Sequence, residues 1–415
     1  MFKSLIRATT ALGAAAFLST TALAAGDLVI TFDDLNPDKK AAFEAAVDAF
    51  KKANPDINVT ANNGDREAHK STIRGALQND SPDVITWYPG NRMGPFVDAG
   101  LFMDISDMYA NGDLPGLDAV KGAMTIDGKQ WGVPYTYYQW GVYYRKDIFE
   151  ELGLTEPATW EEEKANCQAI IDSGRKCYTI GSKFLWTAGG WFDYMNSRTN
   201  GYEFHIQLAN GEVEWTDDRV RQTFANWREL IDMGAFIGDH QNYSWQEAMP
   251  FMVNGEAASY LMGNFSVAAF REGGLTDDQL DFYQFPVINP DVDYAEDAPT
   301  DTFHIPSGAQ NMEAAKEFLR FVTSADVQTA INSGDALGQL PVNANSSIDA
   351  DKFLEEGFEM LSNNAGGGIM QFFDRDFPAE MASVGMEGLQ EFMVFPDNLD
   401  DILERLEDAR SRIYQ

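Results

Sequence analysis

Leu28-Val29-Ile30-Thr31-Phe32 opens a stretch, closing at Pro82-Asp83-Val84-Ile85-Thr86-Trp87, in which the apolar residues change period again and again. The first run is rich in β-branched residues and reads as a buried strand, broken by Asp33, Asp34, Asn36 and Pro37. From about Asp38 to Ala53, Phe43, Ala46, Val47 and Phe50 fall at i, i+3, i+4 and i+7 of a helix, with Lys39, Lys40, Lys51 and Lys52 at its wet ends. Ile57-Asn58-Val59-Thr60 is a second strand, ended by Asn62-Asn63-Gly64, and a helical pattern over 66–78 leads to the strand that finishes at Trp87. Strands alternating with helices at this pace predict βαβ units and an α/β fold on a parallel sheet covered on both faces. Ligands of such sheets meet the loops at the carboxyl ends of the strands, here 33–37 and Trp87-Tyr88-Pro89-Gly90-Asn91-Arg92.

Upstream of this stretch lies an export leader. Lys3 and Arg7 precede an apolar run over 8–18, and Ala22-Leu23-Ala24 has the small-x-small pattern of a cleavage site. Residues 1–24 are therefore expected to be a cleaved signal peptide, its run being too short for a membrane span. The mature chain, about 390 residues, is too long for one ordinary core and suits two lobes. It belongs outside the cytoplasm, in the periplasm. There Cys167 and Cys177, the only two cysteines, are expected to form a disulfide worth ~2–3 kcal/mol. The 65 acidic residues against 30 Lys and Arg, net −35, repel phosphate backbones and anionic lipid, which excludes nucleic acid as a partner.

Downstream the texture changes. Tyr135-Thr136-Tyr137-Tyr138-Gln139-Trp140-Gly141-Val142-Tyr143-Tyr144 is a strand-like, aromatic-dense run suited to crossing between lobes. Thr159-Trp160-Glu161-Glu162 has the spacing of a capping box, and helical patterns recur at 218–233, 246–254, 312–323 and 399–413.

Reactive chemistry is sparse. His69, His205, His240 and His304 are scattered, so no metal site is expected, and Gly366-Gly367-Gly368 lacks the Lys-Ser/Thr of a phosphate loop. No cofactor motif and no Gly-x-Ser-x-Gly elbow occurs. Instead Trp87, Tyr88, Trp140, Trp186, Trp191, Phe265, Phe372 and Phe373 stand beside Gly, Asn or Asp, at loop-like positions. Each ring is equally suited to a core. Together they match what a polyol needs, rings for its C–H faces and polar groups for its hydroxyls.

Asp127-Gly128-Lys129-Gln130-Trp131-Gly132-Val133-Pro134, then Tyr143-Tyr144-Arg145-Lys146-Asp147-Ile148-Phe149 and Leu152-Gly153-Leu154, resemble the signature of family 1 extracellular solute-binding proteins, the maltose-binding-protein-like sugar receptors of ABC importers. Pro157-Ala158-Thr159-Trp160-Glu161-Glu162 is similar to that family's helix start, and Phe251–Ala258 with Met262-Gly263-Asn264-Phe265 to a later segment. Pro82–Trp87 is similar to its third strand, and the motifs run in family order across nearly the whole mature chain.

The resemblance implies a two-lobed, Venus-flytrap fold with discontinuous lobes and a crossing-strand hinge: 25–136 with 291–338, and 139–288 with 341–415. It also implies a cleft that captures a mono- or oligosaccharide, a membrane-embedded permease as partner, a monomer and no catalysis. Within that frame Trp87, Trp186, Trp191 and Phe373 are expected to stack, with Tyr88, Tyr138 and Phe265 beside them. Asp34, Asn36, Asn91, Gln139, Asn264, Asp301 and Arg375 are expected to hydrogen-bond the ligand. Two alternatives stay open. One is an acidic sugar or other anionic solute clamped by Arg92, Arg198 and Arg375. The other is a secreted carbohydrate-active enzyme, which needs two carboxylates roughly 5–9 Å apart; Asp374 and Asp376 are an example of such a pair among the 65 acidic residues.

Overall fold

A computed structural model describes residues 26–34, 37–118, 120–333, 337–348, 351–362 and 368–414; the leader and Asn36 lie outside them. Its strands, in chain order, are β1 (Asp27–Asp34), β2 (Asn58–Asp65), β3 (Val84–Trp87), β4 (Thr125–Ile126), β5 (Lys129–Gln130), β6 (Val133–Tyr137), β7 (Trp140–Arg145), β8 (Lys176–Tyr178), β9 (Ala257–Gly263), β10 (Leu280–Tyr283), β11 (Glu296–Asp297), β12 (Thr300–His304) and β13 (Ile369–Met370).

Leu28, Ile30 and Phe32 alternate along β1 into one core face, as a period-two pattern requires. β1 pairs in parallel with β2 and β3, and β12 then adds antiparallel to β3 and β6, giving a five-stranded sheet in the order β2-β1-β3-β12-β6. Phe43, Ala46, Val47 and Phe50 of helix α1 (Pro37–Ala53) pack on it. β2 runs through Asn62-Asn63-Gly64 to Asp65, where a break was expected. It is the edge strand, with its side chains exposed after Val59, so β1 supplies its backbone bonds and polar residues cost nothing there. Asp65 then caps helix α2 (Arg66–Asn79), accepting the Ala68 N–H.

The aromatic run read as one crossing strand divides. β6 ends in the first sheet at Tyr137, Tyr138-Gln139 cross, and β7 begins a second sheet of order β10-β7-β9-β8. Around this sheet a larger core gathers helices Trp186–Asn200, Asp218–Asp232, Ala379–Val394 and Leu399–Ile413. Both bonds of the Thr159/Glu162 capping box are made, and Cys167 and Cys177 form a disulfide between helix Trp160–Asp172 and β8.

The fold is thus two-lobed, each lobe with its own sheet and core. Two expected crossings shift. Arg198, within the second core, donates to Ala295 O and pairs with Glu296, so the return to the first sheet comes after β11 rather than at 291. Val342 packs in the first core and the Asn343 amide donates to Pro115 O and Thr323 O, so the chain is still in the first lobe beyond 341.

Candidate functional site

Where the carboxyl ends of β1 and β3 face the second sheet, a cavity of about 410 Å³ opens between the lobes. The N-termini of α2, of helix Trp186–Asn200 and of helix Trp245–Val253 border it. The first lobe contributes Asp65, Arg66, Glu67, Lys70 and Tyr88, and the crossing contributes Tyr138. The second lobe supplies six rings, from Trp140, Phe184, Trp186, Trp245, Phe265 and Phe372. Lys183, Ser244, Gln246, Glu247, Asp374 and Arg375 complete its side.

The rings lock one another edge to face. Trp140 and Trp186 are perpendicular at 6.0 Å, Trp245 meets Phe265 at 5.3 Å, and Phe265 meets Tyr138 at 5.2 Å. Phe184 stays 39% exposed at the rim, ready to be covered by an apolar ligand face.

Beneath the first-lobe side runs a buried charge network. Asp33 accepts Lys39 Nζ at 2.9 Å, Arg66 Nε at 2.7 Å and Thr86 Oγ1 at 2.8 Å. Asp301 accepts Arg66 Nη2 at 2.9 Å and Arg375 Nη2 at 3.0 Å. Arg375 also donates to Thr300 O at 2.6 Å and Tyr138 Oη at 3.1 Å. Burial alone would raise both carboxyls. For Asp33 the neighbouring Arg66 and Lys39, and for Asp301 Arg66, Arg375 and Lys39, outweigh it, holding Asp33 well below and Asp301 below the usual carboxylate range. Burial pushes the Tyr138 phenol up to about 12, so it remains a hydroxyl.

Of the expected site residues, Tyr88, Tyr138, Trp186, Phe265 and Arg375 line the cavity, and Asp301 lies just below, bonded to Arg375. The others are displaced. Trp87, one pleat from Tyr88, turns into the core, where its indole donates to Arg92 O and meets Phe96 edge-on. Trp191 sits five residues past Trp186 on one helix, more than a third of a turn round, and is buried beside Trp227 and Tyr178. Phe373 stacks on Phe377 at 4.2 Å, and Phe372 takes the cavity position. Gln139 is fully buried and donates to Phe353 O. Asn91 and Asn264 bridge the lobes, donating to Asp376 O and Gly338 O. Asp34 ends β1; its side chain, like Asn36, lies outside the described detail.

Lys39 is not a wet helix end but is buried against Asp33. Arg66, Lys70, Phe184 and Trp245 were not anticipated. A usable signal existed, because the helix start at Asp65, directly after β2, and the Ser244/Glu247 capping box place the first residues of their helices in the cleft. The anion clamp does not assemble: Arg198 is fully buried on Glu296, and only Arg375 of the three arginines lines the cavity. Nor do Asp374 and Asp376 flank a common space, since Asp376 turns beneath the wall to accept the Gln371 N–H. Among the described residues the one metal-like grouping is Glu163 with Cys167 and Cys177, whose sulfurs are bonded to each other.

Two lobes around an aromatic and charged cleft define a solute receptor. Residues 35–329 match the bacterial extracellular solute-binding protein family, and the chain belongs to it. It is an extracellular solute-binding protein of the ABC-transporter type, a binding protein and not an enzyme. It is 24% identical over 328 residues to an ABC transporter extracellular-binding protein of Pyrococcus horikoshii, covering 77% of this chain and 72% of that one. It is 22% identical over 304 residues to the multiple sugar-binding protein of Streptococcus mutans, covering 71% of each. The bacterial solute receptor AcbH, which has an exclusive preference for β-D-galactopyranose, superposes with a TM-score of 0.84 at 28% identity, over 94% of this chain and 100% of that one. No helix among the described residues is long and apolar enough to cross a membrane.

Proposed function

We propose that the chain captures a neutral mono- or short oligosaccharide in this cleft, outside the cytoplasm, and delivers it to an ABC permease. The observation that carries the reading is the pairing of an aromatic wall with a polar wall whose charges are already matched. Glu67 bonds Lys70 at 3.0 Å, Asp374 faces Arg92 at 3.6 Å, Glu247 accepts the Ser244 N–H, and Asp65 caps α2. Such a wall offers directional donors and acceptors to hydroxyls without a free charge for an ion. The sugar preferences of AcbH and of the Streptococcus mutans relative point the same way. In this reading residues 1–24 are a cleaved leader, the mature protein is a periplasmic monomer, and the lobes hinge at their crossings to close on the ligand.

A thermal-shift screen of the mature protein against neutral sugars, uronic acids and amino acids tests it. A sugar at a hundredfold excess over its Kd is expected to add about 2.7 kcal/mol of stability. A shift with uronic acids alone would favour the anionic alternative, and a shift with amino acids alone would overturn the sugar reading.

A further inference from the structure

Three carboxylates lie under the second-lobe wall with little positive charge among them: Asp193 on helix Trp186–Asn200, Asp297 on β11, and Asp376 closing the short helix Phe373–Asp376. The turn above them is strained. Phe372 has φ 103° and ψ 146°, a region that costs a residue with a side chain on the order of 1–3 kcal/mol and persists only where neighbours enforce it. Its ring reaches the cavity 4.7 Å from Trp140, and three residues on Arg375 crosses to Asp301.

What enforces the turn is visible on both sides of Phe372. Asp193 Oδ2 accepts the Phe373 N–H at 2.7 Å, and Asp376 Oδ2 accepts the Gln371 N–H at 3.0 Å. The helix beneath is hollowed to receive it: a Cβ on Gly190 would come within 2.9 Å of both the Phe372 and Trp140 rings. We propose that Asp193 and Asp376 are positioning residues of the cleft, clamping the Phe372 turn from inside the second lobe and so aiming the Phe372 ring and the Arg375 guanidinium at the ligand.

The clamp is tied to protons. Asp193 faces Asp297, Asp376, Asp374 and, from helix Tyr202–Ala209, His205 Nε2 at 3.5 Å. Asp297 faces Asp376, Glu296, Arg198 and Arg375, but Arg198 is engaged by Glu296 and Arg375 by Asp301. Asp376 faces Arg375, Asp374 and the Tyr202 phenol. Burial, and then mutual repulsion, lift Asp193 and Asp297 well above the ordinary range; burial pushes Asp376 up to about 7. His205 does not neutralise them. Burial pushes its pKa down to about 4, and its Nδ1 contacts the Asn196 amide nitrogen, whose partner oxygen is held by Asn200 and Thr223. The ring is therefore neutral, with its proton on Nε2 toward Asp193. Below neutrality the cluster holds protons; as pH rises the carboxylates charge together, which strengthens each N–H···O bond but sets Asp193 against Asp297 and Asp376, so repulsion loosens the Phe373 side of the turn while the Gln371 bond to Asp376 tightens.

Hydrogen exchange at the Gln371 and Phe373 amides, corrected for intrinsic rates and followed from pH 6 to 9 in the mature protein, tests this. The Arg375 Nε–H resonance reports the aim of the guanidinium. In the wild type the Phe373 amide is expected to lose protection as pH rises and the Gln371 amide to gain it. Asp376→Ala is expected to speed Gln371 exchange at least tenfold at pH 6 and to shift the Arg375 signal. Asp376→Asn, which keeps an acceptor but cannot ionise, is expected to hold protection and flatten the pH profile. Wild-type exchange and an unmoved Arg375 signal in Asp376→Ala overturn the clamp. A wild-type pH profile in Asp376→Asn, readable even if the alanine variant does not fold, overturns the proton linkage.

Discussion

The two lobes bury carboxylates in opposite ways. In the first lobe Asp33 and Asp301 share Lys39, Arg66 and Arg375, and the cations keep them ionised. In the second lobe Glu163 sits fully buried among Tyr178, Tyr283 and the disulfide, with no cation within ion-pair distance among the described residues, and burial pushes it up to about 7. Asp376 is lifted to the same value. The titrating group is the same; what differs is whether a cation bonds the carboxylate directly or only hydroxyls and amides do. Asp33 and Asp301 organise a rigid polar floor, whereas Glu163 and Asp376 serve as buried hydrogen-bond acceptors whose ionisation burial opposes.

The largest effect is expected from breaking the first-lobe network. Asp301→Asn leaves Arg66 and Arg375 buried with one carboxylate fewer between them, a change that typically costs about 3–5 kcal/mol. Calorimetry should show a fall in Tm on the order of 10 °C, and ligand binding should be lost with it, because Arg375 loses its anchor. A variant that melts like the wild type would mean that the network adds nothing net.

Next comes the pair of tryptophans on helix Trp186–Asn200. Trp191→Ala opens a cavity in the second core and is expected to cost about 3–5 kcal/mol of stability. Trp186→Ala removes a half-buried ring from the cleft and is expected to weaken ligand binding by roughly 1–2 kcal/mol, about five- to thirtyfold in Kd, at little stability cost. Equal effects of both changes on melting and titration would erase the distinction between wall and core.

A third test turns on the sign of the pH response. The folded pKa of Glu163 lies above its unfolded value, so its contribution is full below about 4.5 and is lost as pH rises through about 7. Asp33 behaves oppositely: its folded pKa is depressed, so its contribution is present above about 3.8 and is lost in acid. Glu163→Gln should therefore remove about 2–3 kcal/mol of the stability difference between pH 5 and pH 8, measured by urea unfolding at each pH. An unchanged slope would place the alkaline softening elsewhere.

The same contrast explains what could be read from the chain. β1, β3, α1 and the Thr159/Glu162 capping box were legible because a local period or spacing encodes them. The lobes and the general place of the cleft followed from strand order and resemblance. Side-chain direction was not legible at one-residue precision. Trp87 and Tyr88 differ only by the pleat, and Phe372 and Phe373 only by a backbone turn that no local pattern announces. Lys39 looked like a solvated helix end although its closest partner, Asp33, is six residues upstream, because what buries the pair is the assembly of Asp301 and Arg66 around it. The acids lifted by burial gave no signal at all, since burial is a property of the assembled core.

The smallest effect is expected where the two walls meet. Arg92 of the first lobe faces Asp374 of the second at 3.6 Å, both side chains mostly but not fully buried, and its guanidinium lies over Trp87 and Tyr88 at 5.4 and 5.3 Å. The Asn91 amide makes a parallel bridge to Asp376 O at 2.6 Å. Because the Arg92–Asp374 pair spans the lobes, it stabilises the arrangement in which both walls face the same ligand, and it does so only when they are close. Partly exposed ion pairs contribute about 0–1 kcal/mol and weaken with salt. Arg92→Ala should therefore raise Kd by a factor of about 2–5 and flatten its dependence on ionic strength, while Arg92→Lys keeps the charge and should recover part of the salt slope. If Arg92→Ala instead abolishes binding, the guanidinium acts through the Tyr88 ring rather than as a bridge, and the first-lobe wall reaches the ligand through aromatic as well as charged groups.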